Sequence, residues 1–221
     1  QTLRAAVQWS YDLLTAAERV LFDRLSVFPS TFDLAAAEAI CSDNELVDSL
    51  DVSDLLPALV DRSMVVADRT GEHVRYRLLE TFRQFGTEHL AAEDVVRLRD
   101  AHADYYLVAG ERAYEQMDGL EWAKGRAFFQ ADWDNVRAVG EWTLANGDLG
   151  LADRLISCTS WWASLEIPPE LREWCLRAIE AGSRSSLTYS LCSFLTGLAG
   201  SFVEQRWLAQ LALDFAASAA S

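Results

Sequence analysis

The segment Tyr76-Arg77-Leu78-Leu79-Glu80-Thr81-Phe82-Arg83-Gln84-Phe85-Gly86 constrains the chain most, because its apolar period changes inside it. Val74, Tyr76 and Leu78 alternate with polar residues, as a half-buried strand requires, whereas Phe82, Phe85 and Leu90 follow helical spacing. The segment reads as the end of a β-hairpin running directly into a helix. The first arm of the hairpin is the short β-type run Met64-Val65-Val66, and Asp68-Arg69-Thr70-Gly71 supplies its turn.

Helices precede the hairpin. Leu3, Val7, Tyr11 and Leu14 share one helical face. Thr15-Ala16-Ala17-Glu18 is a capping box that starts a second helix, with Val20, Leu21, Leu25 and Phe28 as its stripe and Pro29 as its stop. Asp33 caps a short helix through Leu34 and Ile40, and Ser42-Asp43-Asn44-Glu45 reads as a loop. A further helix carries Leu55, Leu56, Leu59 and Val60, with Pro57 expected in its first turn, where a missing amide costs least. Helices followed by a hairpin, in this order, are the plan of a winged-helix domain.

From Asp94 the pattern stays helical. Val95, Leu98, Tyr105 and Val108 form one expected stripe, and Leu120, Trp122 and Phe128 another. Asp134 and Asn135 are expected to cap or enter a helix with Val136, Val139 and Trp142. Asn146-Gly147 marks a turn, Pro168-Pro169 a break, and Gly182 the end of a helix bearing Leu171, Trp174 and Ile179. Two more helical patterns run from Leu187 to Phe215, and the pattern is still helical at Ser221. Seven of the eight tryptophans lie after residue 120, where large aromatics fill the gaps between stacked helices. The Trp161-Trp162 pair is a candidate partner contact. Phe194-Leu195-Thr196-Gly197-Leu198-Ala199 is similar to the start of a tetratricopeptide unit, without a repeat of fixed period. The expected fold is therefore mainly α: a winged-helix module over residues 1–92 with a small β-hairpin wing, then a TPR-like helical array over residues 93–221.

Composition bounds the function. A net charge of −15 opposes the counterion release on which polyanion binding depends, so nucleic acid and anionic membrane are poor partners. Half the residues are hydrophobic, yet no apolar run is long enough to span a bilayer. Cys41, Cys158, Cys175 and Cys192 form no C-x-x-C pair and read as small buried thiols of a reducing, cytoplasmic compartment. The chain starts at Gln1, already within an amphipathic pattern, as a segment of a longer chain would. His73, His89 and His102 are scattered, and Ser10, Ser63 and Ser157 lack a nucleophile elbow. No phosphate-binding G-x-x-x-x-G-K-[ST] occurs, so catalysis by this segment is not expected.

Several phrases together carry a resemblance: Leu3-Arg4-Ala5-Ala6-Val7-Gln8-Trp9-Ser10-Tyr11-Asp12-Leu13-Leu14, Glu18-Arg19, Leu25-Ser26-Val27-Phe28, Leu59-Val60-Asp61-Arg62-Ser63, Tyr76-Arg77-Leu78-Leu79-Glu80-Thr81 and Asp134-Asn135-Val136-Arg137-Ala138. In this order they resemble the region after the ATPase core of bacterial STAND-type regulators: large LuxR-type transcription factors, antibiotic regulatory proteins and chains linked to adenylate-cyclase domains. The resemblance covers residues 1 to about 145. It implies a winged helix that closes over ATP or ADP and Mg bound by an upstream nucleotide-binding domain, and a helical array that senses a partner protein or ligand. In the related NB-ARC proteins a Met-His-Asp motif after the wing contacts the phosphates. That motif falls here on Leu78, Leu79 and Glu80, and Leu79 cannot donate to a phosphate. Arg77 and Arg83 are the candidate nucleotide-domain contacts, with Leu79 and Glu80 as interaction residues.

Two other readings remain. A DNA-binding winged helix with a helical dimerisation arm would need a basic recognition helix. The helix before the wing holds Asp54, Asp61 and only Arg62, and Glu72 sits among Arg69, Arg75 and Arg77 of the wing, so direct DNA contact by this segment is not expected. A free-standing helical-repeat scaffold is the other alternative.

Overall fold

The computed structural model describes residues 3–43, 47–71 and 73–219. Gln1, Asn44 and Glu45 of the loop, Glu72 of the wing, and Ser221 lie outside the described residues. The chain divides into two compact units, residues 1–105 and 106–221.

The first unit contains helices α1 (Leu3–Asp12), α2 (Ala16–Leu25), α3 (Leu34–Cys41) and α4 (Ser49–Asp61). The antiparallel hairpin β1 (Val66–Asp68) and β2 (Arg75–Arg77) follows, then α5 (Glu80–His89) and the start of α6 (Ala92–Asp118). The capping box at Thr15 forms as the sequence implies: the Glu18 amide donates to the Thr15 hydroxyl at 3.3 Å, and the Thr15 amide to the Glu18 carboxylate at 2.7 Å. Asp33 caps α3 through the Ala36 amide at 2.8 Å. Helix α2 ends at Leu25, four residues before Pro29, because the chain tightens there: the Ser26 amide and hydroxyl both donate to the Asp23 carbonyl.

Pro57 corrects the sequence expectation. Asp48 and Asp51 form a second capping box that starts α4 at Ser49, so the proline falls inside the helix and not in its first turn. It sits on the exposed face, away from Val52, Leu56 and Leu59, which are buried. Both strands are three residues long; β1 begins two residues after Met64 and takes in Asp68, which the sequence assigns to the turn, and β2 is shorter than the alternation from Val74 to Leu78 suggests.

The core of this unit is built on Leu21, Phe22, Leu25, Phe28, Phe32, Ile40, Leu56 and Leu59, all essentially inaccessible. Each such side chain contributes about 1.5–3 kcal/mol on burial. Helix α2 packs against α3, α4 and α5. Phe32 adds a bridge to the hairpin: its amide donates to the Tyr76 carbonyl at 2.9 Å, and the Tyr76 amide donates back at 2.8 Å. The Phe32 ring stacks on Phe28 at a centroid separation of 4.2 Å. Arg24 is buried, donates to the Cys41 carbonyl at 2.9 Å and pairs with Asp43, which ties α2 to the end of α3.

One buried carboxylate is poorly compensated. Asp23 accepts from the Tyr11 hydroxyl at 2.7 Å through Oδ2, while Oδ1 has no hydrogen-bond partner among the described residues. The His89 ring tilts against Tyr11 at 4.8 Å. Burial pushes the Asp23 carboxyl up to about 6, against the opposing pull of the Tyr11 hydrogen bond and the His89 and Arg19 charges.

The second unit holds the rest of α6 and then α7 (Trp122–Ala145), α8 (Leu149–Cys158), α9 (Ser160–Glu166), α10 (Pro169–Glu180), α11 (Ser186–Leu198) and α12 (Phe202–Ala219). The breaks at Asn146-Gly147, Pro168-Pro169 and Gly182 fall where the sequence places them. Asp134 and Asn135 neither cap nor start a helix. They lie deep inside α7, where the buried Asn135 amide donates to Asp132 at 3.0 Å one turn earlier. Val108 and Leu120 face solvent, because the buried stripe of α6 shifts to Tyr106, Leu107, Ala113 and Met117, and Leu120 lies in the turn that follows. All four cysteines are free and buried.

Helices α6 and α7 meet at Gly125, where an added Cβ would lie 2.2 Å from the Ala113 carbonyl oxygen and 2.6 Å from Met117 Cγ. Backbone cannot yield as a side-chain end can, so Gly125→Ala is expected to lower stability by about 2–3 kcal/mol in urea unfolding. Asp23 gives a prediction whose sign depends on pH. A carboxyl raised in the fold favours folding below its unfolded value of about 4, and that contribution is lost as pH rises through the folded value. Asp23→Asn keeps an acceptor for Tyr11 without the charge. It should raise unfolding free energy by about 1–2 kcal/mol at pH 7.5 and leave it unchanged at pH 4. An equal gain at both pH values would exclude the charge as the cause.

Candidate functional site

Helices α3 and α4 directly precede the β1–β2 hairpin, in the order of the winged-helix plan. Helix α4 takes the place of the recognition helix. Its inner face is fixed in the core by Val52, Leu56 and Leu59, so its outer face is dictated by helical spacing: Leu50, Asp51, Asp54, Pro57 and Asp61 are exposed. No lysine or arginine occurs between Asp48 and Asp61. Arg62, just past the helix, donates from Nε to Glu18 at 3.0 Å. Burial acts to raise the Glu18 carboxyl, but the Thr15 amide and hydroxyl and Arg62 together hold it below the usual carboxylate range. Among the described residues, Arg62 at the end of α4 is therefore engaged within the fold.

The wing is more basic. Arg69 and Arg77 are exposed, whereas Arg75 is half-buried and donates to the Thr31 hydroxyl and carbonyl. The Asp68 side chain accepts from the Thr70 amide and hydroxyl at 2.9 and 2.7 Å and shapes the turn.

The residues singled out after the wing separate into two groups. Arg77 is an exposed β2 residue opposite Val66. Leu79 precedes α5, is 43% exposed, and makes no side-chain cap. Glu80 and Arg83 are paired with each other, Arg83 donating at 2.9 and 2.8 Å, and Gln84 adds a third bond at 2.6 Å. The Arg83 guanidinium, with Gln84, holds the Glu80 carboxyl below its ordinary range. Trp161 is 41% exposed, but Trp162 is 5% exposed and stacks on Phe129 at 5.8 Å. Successive helical positions are about 100° apart, so only one of the pair can face outward. Within its unit Trp162 is a packing residue, and Trp161 is the one available to a partner.

The sequence reading missed two features. Leu50, 76% exposed, is an apolar point on the acidic face of α4. Glu111, Tyr114, Glu115, Asp153 and Arg154 line one pocket of the second unit, although 43 residues separate Glu111 from Arg154. Such a group carries no local motif. Among the described residues no cluster of three metal-ligating side chains occurs, and no helix is long and apolar enough to cross a membrane.

Residues 14–91 match the winged helix-turn-helix domain family. A protein of Mycobacterium tuberculosis named "Putative HTH-type transcriptional regulator" is 39% identical over 157 residues, which is 71% of this chain and 18% of that protein. Its Mycobacterium bovis counterpart matches to the same extent. A Mycobacterium tuberculosis protein named "Uncharacterized protein" is 40% identical over 91 residues, 41% of this chain and 23% of its own length. The matched stretch thus takes up less than a fifth of the regulators' length. No solved structure matches the chain.

Exposed ion pairs contribute little to stability. Arg83→Ala is therefore expected to shift unfolding free energy by less than about 0.5 kcal/mol, while freeing Glu80 and removing a cation from the α5 surface. Thermal unfolding checks this, and a larger loss would assign the pair a structural role. Residues 14–91, which hold α2 to α5 and the hairpin between α4 and α5, thus form a winged helix-turn-helix domain, and the chain is similar to proteins named as transcriptional regulators.

Proposed function

We propose that this chain is a non-catalytic regulatory segment of a larger transcriptional regulator of the STAND type. In this reading the winged helix contacts a nucleotide-binding domain of the same protein and controls its ATP/ADP switch. The TPR-like helical array receives the signal. One observation carries the reading: the outward face of α4 bears Asp51, Asp54 and Asp61 and no cation. A recognition helix in a DNA groove lies among phosphates, and each uncompensated carboxylate there opposes binding. A protein surface has no such requirement. An acidic face with Leu50 at its edge suits a basic or mixed protein partner. The relatives are several times longer than the matched stretch, which accords with one segment of a multidomain regulator.

A second reading has specific support. The domain match and the exposed Arg69 and Arg77 of the wing suit a DNA contact made by the wing and not by α4.

The two are separated by binding assays on the 221-residue chain. Added in trans to the nucleotide-binding domain of its parent protein, it is expected to bind at least tenfold more tightly with ADP than with an ATP analogue. Fluorescently labelled duplex DNA at 150 mM salt is expected to show no sequence-dependent anisotropy change. Sequence-selective DNA binding that is lost in Arg69→Ala/Arg77→Ala, with no nucleotide-domain binding, would establish the second reading instead.

A further inference from the structure

A pocket of about 570 Å³ opens in the second unit among α6, α8, α9 and the start of α11. This volume is that of a small-molecule site. Its wall combines Glu111, Tyr114, Glu115, Asp153, Arg154 and Leu187. Three carboxylates therefore face one guanidinium, and that guanidinium is already taken: Arg154 donates to both oxygens of Glu111, at 2.8 and 3.0 Å.

Asp153 is held differently. Its carboxylate accepts from the Ser183 hydroxyl at 2.7 and 2.9 Å and from the Thr188 hydroxyl at 2.6 Å. Ser183 and Thr188 are themselves buried. The donors fix the carboxylate rigidly at the pocket but are neutral, so its charge is oriented and not cancelled. Glu115 adds a second carboxylate and makes no ion pair among the described residues. The half-buried Tyr114 supplies an aromatic face, and Leu187, 60% exposed, an apolar edge. Aromatic faces attract organic cations, and oriented carboxylates bind them with charge-assisted hydrogen bonds.

We propose that this pocket binds a small organic cation: an amine or guanidinium group on a short alkyl chain. Asp153 and Glu115 take the charged group, and Tyr114 and Leu187 take the chain. An anion is excluded by the three carboxylates, and a neutral apolar ligand would leave the charges of Asp153 and Glu115 unbalanced. The pocket is too small for a folded partner, whose interface covers about 800 Å² on each side. The proposal rests on the reading of the helical array as the signal-receiving part, and it gives the signal a chemical class.

Calorimetric titration of the 221-residue chain with agmatine and with putrescine at 50 mM salt tests it, with 1,4-butanediol as the uncharged counterpart. One-to-one binding of at least one of the two cations, and none of the diol, is expected. Glu115→Gln should weaken binding at least threefold, and Asp153→Asn at least tenfold. Tyr114→Leu should weaken it about threefold. Circular dichroism reports whether Asp153→Asn, which alters three hydrogen bonds, still folds; if it does not, Glu115→Gln and Tyr114→Leu carry the test. The proposal is overturned if neither cation binds, if the folded variants bind as the parent does, or if only an arginine-bearing peptide binds. Repeating the nucleotide-domain assay with saturating cation separates the two readings. Cation binding that leaves that affinity unchanged keeps the site and removes its sensing role. Nucleotide-domain binding without cation binding does the reverse.

Discussion

The first unit depends on the bridge between Phe32 and Tyr76. Two backbone hydrogen bonds join a residue ahead of α3 to the middle of β2, and the Phe32 ring stacks on Phe28 beside them. A hairpin of two three-residue strands has little stability of its own. The bridge pairs Phe32 with β2 as a single-residue edge beside the hairpin and anchors the hairpin to the helical core. It also fixes where the hairpin stands relative to α3 and α4, since α3 begins two residues after Phe32. The surface formed by α4 and the wing inherits its geometry from this one contact.

In the second unit aromatic packing plays the corresponding part. Trp133 lies 6.0 Å from both Trp162 and Trp174, and Trp162 stacks on Phe129. The indole nitrogens of Trp133 and Trp174 donate to Glu170 and Glu141, so helices α7 and α10 are joined by rings inside and carboxylates at the rim. Gly140 lets the Trp174 ring lie against α7, since an added Cβ would come within 2.6 Å of it. Large rings and a small residue at the same crossing set the helix separation.

Much of this was legible in the residues. Thr15 with Glu18, Asp33, Gly182 and the Pro168-Pro169 break act through groups a few positions away, and local signals of that range survive folding. The period change after Leu78 placed the hairpin and α5. The failures are of one kind. Pro57 was misplaced because apolar spacing located the middle of α4, while its start was set by Asp48 and Asp51, two carboxylates that can equally belong to a loop. Asp134 and Asn135 looked like a helix start because buried polar residues are rare. Inside α7 each is engaged one turn away instead, Asn135 donating to Asp132 and Asp134 pairing with Arg137, and only packing shows that Asn135 is buried there. Trp161 and Trp162 could not be told apart without knowing which side of α9 meets Phe129. The pocket was invisible, since its carboxylates come from α6 and α8 and owe their meeting to packing alone.

The capping box of α4 has a consequence beyond starting the helix. The first turn of any helix exposes amides that no residue within it can satisfy, and these attract anions. In α4 the Asp51 amide already donates to Asp48, and the Asp48 amide to Asp51. The end of this helix thus carries its own built-in anions. Under the proposed reading this matters, because a phosphate approaching the leading edge of α4 would meet the Asp48 and Asp51 carboxylates, with the Asp51 amide already engaged.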